Sequence, residues 1–150
     1  MPVKLEDLVA GLLRQELDLY RLLRSRIDAE LEAIDGDDMD LLMSILQEKQ
    51  SIISRQELLM ERWGDVSSEL GISEGRDEPV FWKALASAVG ERGYEALISR
   101  VREIQDLVSA SIDFENVAQE KMAGKLSELR SRMSRVANGK KAVRGYMGSI

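Results

Sequence analysis

The chain has 150 residues, 32% of them charged and 44% hydrophobic, a formal net charge of −6, and neither cysteine nor histidine. The length suits one domain with a sizeable core. Without those two residue types there is no disulfide, no thiolate, no imidazole base and no imidazole metal ligand, so an enzyme is the last class expected and no cofactor is expected.

The opening stretch MPVKLEDLVAGLLRQE carries charges on both sides of a short apolar run, unlike a signal peptide. No segment approaches the ~18 apolar residues of a membrane span. These features predict a cytoplasmic protein with no stable membrane insertion. Leu5, Leu8, Leu12, Glu16, Leu19, Leu23, Ile27, Leu31 and Ile34 step by three or four and predict a first helix over residues 4–35.

The acidic stretch AIDGDDMDLLMSILQEK follows. A calcium loop starting at Asp35 would put Met39 at its fifth position, Asp40 where glycine is needed and Leu46 where a bidentate glutamate is needed, so the ligand pattern fails. A helix–helix bend accounts for each residue. Gly36 is expected in the left-handed conformation that ends a helix, Asp37 or Asp38 as the next cap, and Asp40 beside the positive end of the new helix dipole.

The second helix is predicted over 38–70. Ile45-Leu46, Ile52-Ile53 and Leu59-Met60 recur every seven residues, with Val66 completing the series, while Lys49, Gln56, Trp63 and Leu70 share an adjoining position. Such a repeat calls for a partner helix at a shallow angle, and the short bend makes that partner the antiparallel first helix. Gly71 should stop the second helix, with Ile72 closing back on its last turn. After the loop GISEGRDE, a short helix is expected at 79–89, capped by Asp77 and halted by Gly90, with Phe81 and Trp82 sealing the open end of the hairpin.

A long last helix is predicted over 94–136, about 64 Å at 1.5 Å per residue, with Gly124 as a soft spot. Expected to overrun the hairpin by ten or so residues, it would leave Leu129, Met133 and Val136 without intramolecular cover, a binding row continuous with Met122 and Leu126. Residues 137–150 hold three glycines and scattered apolar residues and are expected to form a flexible basic tail, with Tyr146 and Met147 as anchors. The predicted architecture is all-α: an antiparallel hairpin, a short helix and one long C-terminal helix in an elongated three- to four-helix coiled-coil bundle spanning 1–136.

Charge divides along the chain. Residues 1–120 carry 13 Lys/Arg against 26 Asp/Glu, a balance of −13, whereas residues 121–150 carry 8 against Glu128 alone, a balance of +7. Phosphate binding by this basic end would meet an acidic body and lacks a surrounding nucleic-acid motif, so no nucleic-acid partner is expected. Basic residues late in a helix also complement its dipole.

The order of these elements resembles the FlgN family of flagellar export chaperones. The likeness rests on a leucine-rich first helix with an embedded glutamate, LLRQELDLYRLL, on the Gly36-Asp37 bend, and on a second helix with Lys49 near its middle and Arg62 toward its end. Asn116 matches the second of two asparagines usual in the late helix, with Asp113 in place of the first, and a Tyr146–Gly148 tail follows. The resemblance implies a type III secretion chaperone of flagellum assembly. It would bind the helical C-terminal segments of hook-associated proteins, keep them unpolymerised, and dock on the export gate through Tyr146. Met122, Leu126, Leu129, Met133 and Val136 would then hold the client helix in a groove. A structural coiled-coil adaptor or homodimer without an export role is served by the same heptads and stays open.

Overall fold

The computed structural model describes the backbone of residues 4–148 and the side chains of residues 4–139. Helix α1 spans Leu5–Asp35, α2 spans Met39–Glu69 and α3 spans Pro79–Gly148. No strand occurs among the described residues. Within α3 only Gly90 departs from helical geometry, at φ 82° and ψ 168°, a region open to a residue without Cβ. It separates a short arm, 79–89, from a long arm, 91–148.

The direction of each helix follows from its cross-links. Glu16 pairs with Trp63 and Glu30 with Lys49, so position falls along α2 as it rises along α1, and the hairpin is antiparallel. Arg21 with Glu103 and Asp35 with Lys121 advance together, so α3 runs parallel to α1. Helix α1 packs against both neighbours, whereas the backbones of α2 and α3 rarely approach one another. Its buried set, including Val9, Leu13, Leu17, Ile27 and Ile34, is therefore wider than the single stripe expected of it.

Two apolar clusters fill the bundle. At the open end, Val9, Leu13 and Leu17 meet Leu59, Trp63, Val66, Phe81, Leu85 and Leu97. Phe81 is fully buried edge-on between Trp63, 6.1 Å away, and Trp82, 5.1 Å away, so the aromatic pair seals the hairpin as expected. At the bend, Ala33, Ile34, Leu42, Ile45 and Ala118 form the second cluster, with Met122 packed against it.

Several local expectations are corrected. At the bend the left-handed residue is Asp37, at φ 52°, while Gly36 sits at φ −85°. The Asp37 N–H bonds Ile34 O and the Asp38 N–H bonds Ala33 O, the closing pair a left-handed residue makes at a helix end. Aspartate tolerates that conformation better than most side chains. Asp38 then caps α2, its carboxylate accepting from the Leu41 N–H at 3.1 Å. Gly71, at φ 68°, ends α2 as expected, and the Ile72 N–H closes back on Ser67 O. Pro79 opens α3, so the position before it is Glu78 and not Asp77.

The largest correction concerns the last helix. It begins immediately after Gly90 and continues through Gly148, beyond the boundary expected at 136. Gly139 does not stop it, because a lone glycine costs a helix only about 1 kcal/mol against alanine.

Candidate functional site

Two buried ionic clusters tie the bundle together, and the first fixes where α3 lies on the hairpin. Lys49, from the middle of α2, donates to Glu30 of α1 at 2.7 Å and to both carboxylate oxygens of Glu115 of α3 at 2.6 and 2.8 Å. One ammonium thus ties all three helices in the layer between the two apolar clusters. Burial alone would lower the Lys49 pKa, but its hydrogen bonds and proximity to Glu115 and Glu30 outweigh that and hold it above its ordinary 10.5. Near the open end, Glu16 accepts from Trp63 Nε1 at 2.8 Å and pairs with Arg76 at 2.7 Å, and the Arg76 guanidinium lies 4.1 Å from the centre of the Trp63 ring. The glutamate in the leucine-rich motif is therefore a buried acceptor that draws the 71–78 loop over the bundle.

At the bend, two exposed pairs anchor α3 where it leaves the hairpin. Lys121 Nζ stands 2.8 Å from both carboxylate oxygens of Asp35, and Lys125 Nζ stands 2.7 Å from Asp37. Hydrogen bonding to Asp37 raises the Lys125 pKa. Beyond these anchors every residue from Leu126 to Gly139 is exposed.

The five predicted client-binding residues are thereby divided. Met122 is half-buried on the bend cluster. Leu126 and Leu129 line a shallow cavity of about 290 Å³ with Ile34, Asp37 and Met39. Met133 and Val136 project past it, at 64% and 59% exposure. The row is continuous along one face and is not absorbed into this chain's own core. The backbone of Tyr146 is helical, and its side chain lies outside the described residues.

Reading by sequence missed a second apolar row. Ile45, Ile52 and Leu59 are buried, but their neighbours Leu46, Ile53 and Met60 face solvent, and Met39 and Met43 extend their row. Adjacent residues in a helix point 100° apart, so a repeating apolar pair signals two seams. A cavity of about 870 Å³ lies between α2 and α3 toward the open end. Its floor includes Leu13, Glu16 and Tyr20, and Met60 and Gln105 stand on opposite walls. Burial and the charge of Glu16 raise the Tyr20 pKa there.

Chemically, this surface suits association. Among the described residues no group of acidic side chains is placed to hold a metal, and no helix is long and apolar enough to cross a membrane. Compared with family models, curated proteins and solved structures, the chain matches none.

Gly124 lies between the two anchoring lysines, and a Cβ there would meet nothing within 4 Å. Gly124→Ala should therefore stabilise the protein by about 0.5–1 kcal/mol through the unfolded chain and helix propensity. Urea titration followed by circular dichroism checks it; a loss of stability would mean that this site needs glycine.

Proposed function

We propose that this chain is a cytoplasmic flagellar export chaperone, as its resemblance to the FlgN family implies. It takes up the amphipathic C-terminal helices of hook-associated proteins, prevents their premature assembly and passes them to the export gate. The observation that carries the proposal is the uncovered row Leu126, Leu129, Met133 and Val136 on a helix that outruns its hairpin. An apolar row at helical spacing beside a preformed shallow cavity is the surface that helix-in-groove recognition needs. The half-buried Met122 and the Lys121 and Lys125 anchors hold the base of that row in place, so little ordering entropy is lost on binding.

Export-gate docking by Tyr146 remains part of this proposal on the strength of the resemblance alone. The test is to titrate peptides from the C-terminal segments of hook-associated proteins into the full chain, by calorimetry and circular dichroism. One peptide bound per chain, with a gain of helix and a fall in heat capacity, is the expected result. Failure of every such segment to bind the folded chain would overturn the proposal.

A further inference from the structure

The outer row on α2 faces a matching column on α3. Met60 shares one cavity with Gln105, and Met39 shares another with Leu126, so the two antiparallel helices are in register at both ends of the row. Between those ends the residues stand seven apart on both helices, which sets Ile53 opposite Ile112 and Leu46 opposite Gln119. The facing side chains do not close on one another: all eight are exposed, and the two backbones stay apart. Together they wall an open trough about 32 Å long, at 1.5 Å per residue, that meets the proposed client row at Leu126.

Two features of the trough describe its occupant. Neither column carries a charge, in a chain whose residues are 32% charged, and Lys49 and Glu115, which bridge the two walls, are already paired. The second feature is Gln56, one helical turn from both Ile53 and Met60, whose side-chain nitrogen is buried without a hydrogen-bond partner. A buried donor left unpaired is costly, and an acceptor on a guest helix would relieve it. A guest with acidic or basic residues beside its apolar stripe would lose their hydration against these walls and find no counter-charge. One that borders its stripe with Ser, Thr, Asn or Gln could hydrogen-bond to Gln105 and Gln119 and supply the acceptor that Gln56 lacks.

We infer that the client helix continues past the projecting row into this trough, and that its segment there is amphipathic but uncharged, with hydroxyl and amide side chains flanking the apolar stripe. This rests on the chaperone function proposed above and adds to it the extent of the site and the chemistry it selects. The row from Leu126 to Val136 captures one part of the client by apolar contact alone. The trough reads the other part, because its amides reward hydrogen-bonding groups and its uncharged walls reject ionised ones.

The test carries a C-terminal peptide of a hook-associated protein that binds the wild-type chain through calorimetric titration of three proteins. Leu46→Glu with Ile53→Glu should weaken it at least about 100-fold with unchanged circular dichroism. Gln56→Leu should raise the urea midpoint of the free chain, because a buried unpaired donor is gone, yet weaken the peptide about 3- to 10-fold, because the guest acceptor loses its donor. On the wild-type chain the dissociation constant should change less than about 3-fold between 50 and 500 mM NaCl, since no charges meet across the trough. A peptide that binds the Leu46→Glu, Ile53→Glu chain as tightly as the wild type would overturn the inference and leave the proposed function standing. A dissociation constant that rises about 10-fold or more with salt, or an affinity unaltered by Gln56→Leu, would overturn the uncharged chemistry assigned to the trough. If no such peptide binds the wild-type chain, the proposed function falls and this inference falls with it.

Discussion

Lys49→Met should destabilise the protein by about 3–5 kcal/mol, enough to remove a large part of the stability of a domain this size. The substitution keeps the length of the stem and removes only the ammonium. Glu30, 4% exposed, and Glu115 would then face each other across an apolar layer with no counter-charge. Each must stay ionised without compensation or bind a proton, and either outcome weakens the fold. The companion variant Lys49→Met, Glu30→Leu, Glu115→Leu removes the whole cluster and should recover most of the loss, since well-packed apolar groups commonly equal or exceed a buried ion pair. Urea titration of the two variants separates the outcomes: an equal loss in both would mean that the layer depends on Lys49 packing and not on its charge.

The same lysine sets the sign of one pH effect. Its pKa is raised in the folded state, so its contribution is fully present below the unfolded value near 10.5. It is lost as pH climbs through the higher folded value. The urea midpoint should therefore show no pH dependence from Lys49 between pH 7 and 9, where its contribution is complete, and a falling contribution at the alkaline extreme.

Leu129→Glu with Met133→Glu should weaken client binding about 10²- to 10⁴-fold, the loss of two side chains whose burial is worth about 1.5–3 kcal/mol each. Stability should move by no more than about 0.5 kcal/mol, because the two side chains are 52% and 64% exposed in the free chain. Calorimetric titration beside a thermal melt decides the matter. A drop in Tm together with lost binding would mean that the row is core in solution and that client recognition lies elsewhere. Lost melting stability without lost binding would have the same meaning for the row and remove the main support for the proposed site.

Much of the architecture was legible because it rests on local signals. Periodicity located three long helical segments, Gly71 and Gly90 marked two breaks, and the paucity of aromatics pointed to Phe81 and Trp82 as a plug. What escaped depends on where helices sit relative to one another. Nothing in the pattern of α1 tells that α3 lies parallel to it on a second face, so Val9, Leu13 and Leu17 were not placed in the core. The pairing of Lys49 with Glu30 and Glu115 joins residues far apart in the chain, and a lysine at a seam position does not disclose its partners. The left-handed residue at the bend went to Asp37 because the final turn of α1 extends one residue further than glycine's usual place implies, and Asp37 also meets Lys125. The exposed row from Leu126 to Val136 was legible since its residues are spaced along one helix; its exposure followed from comparing helix lengths.

The central place of α1 has a consequence for how the chain is made. It is synthesised before α2 and α3, yet it has two apolar sides, and α2 covers only one. Until the residues up to about Lys125 have left the ribosome, the nascent hairpin carries a bare strip that includes Leu13, which faces Leu97 of α3. The protein therefore passes through a stage in which it is itself an unfinished helical surface in search of a cover, and its own last helix is the first partner it must recognise.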